Sequence, residues 1–210
     1  SSSAASDVYK RQTISREYGS GGRQIGLLTA ERLGMKFYDK ALIEAASREI
    51  GFPEDMIADH DQKLTNSLLY NFALGTLRGA AFPNELESKY LPLTEQVFRV
   101  QKQTIEEAAK QGPAVFIGRC ADAILQDRDD VLRVFVYADI EKRKQRAIEE
   151  YGEMEECISR FIRENDKRRR IHYENYTDQR WGDRENYDLM LNSGFLGIDK
   201  CVDLICEAAK

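Results

Sequence analysis

Apolar residues along this chain fall in short blocks whose spacing alternates between that of strands and that of helices. Thr13-Ile14-Ser15 reads as the end of a strand, and Gly19, Gly21 and Gly22 follow it. Arg23 to Leu33 then reads as a helix with Ile25, Leu28 and Leu33 near one face. Gly34 is a natural stop, since glycine accepts the left-handed turn that ends many helices. Met35-Lys36-Phe37-Tyr38 is a short strand. Asp39 is placed to cap a helix through Leu42, Ile43, Ala46 and Ile50, which Gly51-Phe52-Pro53 breaks.

Residues 54 to 93 read as an inserted helical subdomain. Pro53 suits the first turn of a short helix holding Met56 and Ile57. Leu68, Leu69, Phe72 and Leu77 suggest another, and Pro83 and Pro92 bracket a stretch of undefined form. A long helix from Thr94, with Val97, Phe98, Ile105, Ala108 and Ala109 inward, ends at Gly112-Pro113. Ala114 to Ile117 is a compact apolar strand, and Val131 to Tyr137 is the strongest strand in the chain. Asp139 is expected to cap a charged helix to about Tyr151, and a basic helical segment runs from Met154 to Asn175. Asp188 to Leu191 is a last strand. Asp199 is expected to cap a terminal helix with Val202, Ile205 and Ala209.

Strands alternating with helices predict an α/β fold, a parallel sheet covered on both faces. Ligands of such sheets bind at the carboxyl ends of the strands. Three polar clusters fall there: Ser15 to Arg23, Asp39, and Gly118 to Asp122. One strand breaks the rule. A buried parallel strand should be nearly continuously apolar, yet Tyr9-Lys10-Arg11-Gln12-Thr13 is not. Either that strand is short and frayed at its start, or the sequence up to about Gln12 is non-native. Residues 1–12 therefore read as a leader, non-native or disordered, without the apolar core of a signal peptide.

Composition narrows the classes. In 210 residues, 42% are hydrophobic and 32% charged, with a net charge of −5. That supports a real core and argues against general nucleic-acid binding, which shows a basic excess. No apolar run approaches the ~18 residues of a membrane span. Four cysteines without a C-x-x-C pair, and two histidines, supply a zinc site poorly. Reduced thiols and a cytoplasmic setting are expected. No metal ligand set and no Ser/His/Asp or Cys/His constellation is present.

Two segments carry chemistry. Ser15 to Arg23 lies between a strand and a helix, with three glycines in four residues. Glycines let backbone N–H groups turn toward a phosphate, the helix start adds its positive end, and Arg23 can add a bidentate contact. The full phosphate-loop pattern is not met: Arg16 stands at its first glycine, Gly22 at its lysine, and Arg23 or Gln24 at its hydroxyl. The second segment, Arg163 to Arg170, holds five cations and two anions. Arginines on a mobile lid stabilise the charge of a transferring phosphoryl group. A solvated, salt-bridged helix face is the alternative. Asp39 reads equally as a helix cap or a substrate contact. Trp181 is expected to anchor the end of the lid against the core.

Several of these segments resemble known enzymes. ISREYGSGGRQIGLLTAERLG, Ile14 to Gly34, resembles the opening of bacterial cytidylate kinases. Phe37-Tyr38-Asp39 is similar to that family's Tyr-Leu-Asp, Gly118-Arg119 to its Gly-Arg-Asp, and Ala138 to Arg143 to the helix entering its lid. SREYGSGGR, YDK, GRCAD, and YTDQRWGD followed by NYDLMLNS resemble more specifically the divergent cytidylate kinase-like family, over roughly residues 13 to 209.

The resemblance implies a three-layer phosphate-loop NTPase-type fold with a five-stranded parallel sheet. Its domain would span 13–210, with an acceptor-binding subdomain at about 40–93 and a lid at about 152–182. It implies ATP as donor, with Mg2+ held through phosphates and water, and CMP or dCMP as acceptor. Gly19, Ser20, Gly21, Gly22, Arg23, Gln24 and Arg143 would hold ATP. Arg23, Arg163, Arg168 and Arg169 would act in catalysis. Asp39, Arg119, Asp122 and Arg170 would bind the acceptor. The family's Asp after Gly-Arg is Cys120 here, and no Arg lies between Asp39 and Ser47. A non-catalytic nucleotide-binding regulatory module on the same fold, or a kinase for another small acceptor, are the alternatives.

Overall fold

A computed structural model describes residues 9–49 and 93–210. The helices expected around Met56 and Ile57 and from Leu68 to Leu77, the stretch between Pro83 and Pro92, and the first eight residues of the leader lie outside the described residues. The chain divides into two compact units, Ser1–Phe37 with Pro113–Lys210, and Tyr38–Gly112.

The first unit is built on five strands: β1 (Arg11–Arg16), β2 (Lys36–Tyr38), β3 (Ala114–Ile117), β4 (Val131–Tyr137) and β5 (Leu189–Asn192). They form one sheet in the order β2-β3-β1-β4-β5. β1 runs parallel to β3, with Ile14 opposite Ile117, and parallel to β4, with Ile14 opposite Val134. β5 runs parallel to β4. One face of the sheet presents Ile14, Val115, Ile117, Val134 and Val136 to α1 (Gly22–Leu33) and to the terminal helix (Ile198–Ala208). That helix contributes Cys201, Val202 and Ile205, all fully buried. On the other face Phe135 meets the Trp181 ring edge-on at 5.4 Å and the Tyr187 ring at 5.0 Å. Trp181 thus anchors the segment that returns to β5, as expected.

β1 corrects the sequence reading of the leader. The strand starts at Arg11, inside the stretch read as a leader, and Arg11 and Gln12 are 6% and 0% exposed. Their polar groups are satisfied in place: Arg11 pairs with Asp130, and Gln12 Nε2 donates to Tyr9 O at 2.8 Å. Asp199 is also displaced from its expected role. The terminal helix begins at Ile198 after Gly197, whose φ of 79° makes the turn, so Asp199 sits in the first turn rather than at the cap. Asp139 does occupy the cap of α5 (Ile140–Glu149), though its side chain makes no capping hydrogen bond.

Within the second unit α2 (Lys40–Glu49) packs against α3 (Leu93–Lys110). α2 buries Leu42 and Ile43, and α3 buries Val100, Ile105, Ala108 and Ala109. The remaining helices belong to the first unit. α4 (Ala121–Ile124) lies against β1, α6 (Ile158–Tyr176) follows α5, and the short α7 (Ser193–Leu196) precedes the terminal helix, α8. All four cysteines are free thiols. Among the described residues no helix is long and apolar enough to cross a membrane.

Candidate functional site

The carboxyl end of β1 opens into a loop shaped by backbone conformations that only glycine adopts without strain. Gly19 and Gly21 have φ of 76° and 77°, and Gly21 caps α1, its carbonyl accepting Ile25 N–H at 2.9 Å. Space demands glycine as well. A Cβ on Gly19 would stand 2.6 Å from Arg143 O, and one on Gly22 would stand 2.5 Å from Arg16 Cβ. Ser20 is fully buried, and its hydroxyl donates to Glu17 O at 2.8 Å. From the far edge of the sheet, Ser193 Oγ lies 2.5 Å from Ser20 O and 3.2 Å from Tyr137 O, at the start of α7.

Three arginines from α5 and α6 grip this loop through its carbonyls. Arg143 Nε donates to Tyr18 O at 2.7 Å, and Arg146 donates to Gly19 O at 3.0 Å. Arg169 donates to Arg16 O at 3.0 Å, with its guanidinium 5.4 Å from the Tyr18 ring centre. Carboxylates balance them. Arg143, 6% exposed, pairs with Asp166 and lies 3.3 Å from Glu17 Oε2. Asp166 Oδ1 also accepts Tyr18 N–H at 2.7 Å. Burial pushes the Glu17 carboxyl above its ordinary range, against the pull of Arg143. Tyr18 ties the loop to the start of α6: its hydroxyl donates to Glu153 at 2.8 Å, and its ring meets Phe161 edge-on at 5.3 Å.

The end of β3 carries the second cluster. Gly118, Arg119 and Cys120 have φ of 65°, 58° and 58°, so three consecutive residues turn left-handed into α4. Two of them are not glycine, and such strain collects at functional turns. Burial lowers the Arg119 guanidinium to about 10 and raises the Cys120 thiol to about 12. Asp122 is 2% exposed and accepts from Tyr173 OH at 2.9 Å and Ser15 Oγ at 3.4 Å. Burial raises its carboxyl above the ordinary value. It borders a polar cavity of about 250 Å³ that Gln126, Arg133, Gln179 and Glu185 also line.

Among the residues singled out from sequence, Gly19, Ser20, Gly21, Gly22, Arg143 and Arg169 come together at the end of β1. Asp122 reaches the same strand through Ser15. Arg23 and Gln24 are exposed on the first turn of α1, the Arg23 guanidinium 5.7 Å from the Phe37 ring centre. Arg163, Arg168 and Arg170 are exposed on α6. Asp39, in the second unit, accepts Leu42 N–H at 3.0 Å and so caps α2. Sequence reasoning missed Tyr18, Asp166 and Ser193. The only local signal was an acid inside a basic run.

Among the described residues no group of three or more His, Cys, Asp or Glu side chains is arranged to hold a metal ion. The loop itself fits phosphate. One of its donors, Tyr18 N–H, already points at a carboxylate oxygen. No hydroxyl side chain stands at the loop position that Arg23 occupies, where phosphate loops hold magnesium.

A family model described as the cytidylate kinase-like family matches residues 13–194. No curated protein matches significantly. Among solved structures, an uncharacterized protein from Eubacterium ventriosum is similar with a TM-score of 0.71 at 21% identity, covering 95% of this chain and 97% of that one. TT1252 from Thermus thermophilus is similar with a TM-score of 0.54 at 17% identity, covering 94% of each chain. Shikimate kinase from Acinetobacter baumannii, solved in complex with shikimate, is similar with a TM-score of 0.51 at 16% identity, covering 94% of this chain and 91% of that one. At these identities the likeness is one of fold, that of the phosphate-loop kinases.

Proposed function

The chain belongs to the cytidylate kinase-like family, and from that premise we propose that it transfers the terminal phosphoryl group of ATP to a nucleoside monophosphate, CMP or dCMP first. The observation that carries this reading is the loop at the end of the central strand. Two left-handed glycines open the 12-residue helix α1 beneath three converging arginines. A helix start with inward N–H groups is an anion site, and converging guanidinium groups suit an anion of high charge.

Bound ATP supplies the phosphoryl group, and the protein's own work is positioning and charge neutralisation. In this reading the backbone of Gly19 to Gly22 orients the phosphates. Arg143, buried, and Arg169, half-buried, neutralise them at fixed points from against the loop. The exposed Arg23, Arg163, Arg168 and Arg170 close over the reacting groups when substrate is present. Arg119, half-buried at the end of β3, binds the acceptor phosphate, and Asp122 offers the acceptor a polar contact through the adjoining cavity. Acceptor oxygen attacks in line, without a covalent enzyme intermediate.

A second reading is favoured by one feature. Arg143 of α5 and Arg169 of α6 donate to the loop's carbonyls, and no lysine stands in it. A non-catalytic nucleotide-binding module needs no more than that. The test is ADP release from ATP and magnesium against CMP, dCMP, UMP and AMP. Acceptor-dependent ADP establishes the kinase and its substrate class. ATP binding with silence across the panel favours the regulatory module or a kinase for another small acceptor, and absence of ATP binding refutes the donor site.

A further inference from the structure

Some of the loop's N–H groups face side chains that present oxygen atoms. Asp166 is the clearest case. One carboxylate oxygen accepts Tyr18 N–H at 2.7 Å, the other takes the Arg143 guanidinium, and Arg169 lies 4.0 Å from the first. A backbone N–H at a helix-opening loop, with two guanidinium groups, is a donor set suited to a phosphoryl group. Here the chain fills it with its own anion. Tyr151 stands beside it, its ring edge-on to the Tyr18 ring at 5.8 Å and its hydroxyl beside the Gly21 backbone N–H. Tyr151 is 43% exposed, so it can leave the loop without opening the core.

Around Arg143 the arrangement is closely balanced. Glu17 and Asp166 are the anions, and Arg143 and Arg169 the cations. A further anion entering this quartet must expel one of the carboxylates or leave the loop with excess negative charge. Glu17 is fixed from a second side, its other contact being Ala138 N–H at 3.2 Å. Asp166 is held at its loop end only by groups that a phosphoryl oxygen can also use. A phosphoryl group carries up to two charges where a carboxylate carries one, so it is the stronger partner for the same donors.

We infer that Asp166 is a built-in occupant of a phosphoryl site formed by Tyr18 N–H, Arg143 and Arg169, and that a di- or triphosphate chain binds by displacing it, with Tyr151 as a second, weaker stand-in. This rests on the nucleotide reading above. It names a ligand class, polyphosphate, and makes the lid a competitor of that ligand. The intrinsic affinity of the loop is then masked, because only the fraction of molecules with the catch open binds.

The experiment is calorimetric titration of the full chain with pyrophosphate and with ATP. It compares the parent with Asp166→Asn, Tyr151→Phe and the control Glu164→Gln. Glu164 is an exposed acid on the same helix, 3.7 Å from Arg160. Asp166→Asn keeps the shape and removes the charge. It is expected to tighten pyrophosphate and ATP about tenfold, the equivalent of losing one charge-assisted competitor. Tyr151→Phe is expected to tighten them about threefold, and Glu164→Gln less than twofold.

Unchanged or weaker binding by Asp166→Asn overturns the inference while ATP binding by the parent leaves the nucleotide reading intact. Equal tightening in Glu164→Gln also overturns it, since general charge would then explain the gain. If Asp166→Asn does not fold, Tyr151→Phe decides: tighter binding supports displacement, and the parent's affinity or less refutes it. Absence of binding in parent and variants alike removes the nucleotide reading, and this inference with it.

Discussion

Replacing Gly19 by alanine tests whether the loop is shaped by its contact with α5. Two penalties combine. The residue has φ of 76°, and a side chain in the left-handed region costs about 1–2 kcal/mol. Its Cβ would then stand 2.6 Å from the Arg143 carbonyl oxygen, a backbone atom that cannot rotate away. Relief means parting the loop from α5, against the 2.7 Å hydrogen bond from Arg143 Nε to Tyr18 O. Overpacking of this kind costs about 1–3 kcal/mol more. Gly34→Ala is the control: its φ is 65°, and nothing lies within 4 Å of its Cβ position. It carries the first penalty alone. In a domain of this size each kcal/mol lowers Tm by about 2–4 °C. Thermal unfolding should then show Gly19→Ala falling by roughly 4–20 °C and Gly34→Ala by roughly 2–8 °C. Under the nucleotide reading only Gly19→Ala loses ATP affinity. Equal losses of Tm in the two variants would refute the argument, because the close approach to α5 would then be without consequence.

Two further outcomes are expected. Ser193→Ala removes the hydroxyl that reaches Ser20 O and Tyr137 O at a site 1% exposed, which costs about 1–3 kcal/mol. Hydrogen exchange at Gly19 to Gly22 should accelerate, and unchanged exchange would show that α7 does not brace the loop. Asp122 predicts a pH effect. Burial raises its carboxyl above 3.8, so the folded protein binds this proton more tightly than the unfolded chain. Parental stability contributed by this group therefore falls as pH rises above about 4 toward the folded value. Asp122→Asn has no proton to lose, so its urea midpoint should gain on the parent's as pH rises above about 4. Parallel profiles would mean that Asp122 titrates normally.

Much of the architecture was legible because the apolar blocks are local. β3 and β4 span the residues their composition indicates, and Gly34 ends α1 where a left-handed residue was needed. The start of β1 was not legible. Arg11 is buried by courtesy of Asp130, a partner 119 positions away that no window on the sequence contains. The glycine loop could be read since positive φ selects glycine, whereas Arg119 and Cys120 adopt the same region without advertising it. In the basic run of α6 nearly every position is charged, so periodicity could not say which arginine turns inward. The structure selects Arg169, through its bond to Arg16 O and its place over Tyr18. Asp166 and Ser193 were hidden for one reason: their partners, Tyr18 and Ser20, lie more than a hundred residues away.

The central position of β1 has a consequence for how the chain is made. β1 leaves the ribosome before either neighbour exists, for its partners are Ala114–Ile117 and Val131–Val136, more than a hundred residues downstream. At about 5–20 residues per second, it waits several seconds or longer with both edges unpaired. An apolar strand in that position would be a template for pairing with other nascent chains. Arg11, Gln12 and Thr13 make it a poor one, and each becomes buried only when the neighbouring strands arrive. The polarity that disguised this strand in the sequence protects it during synthesis.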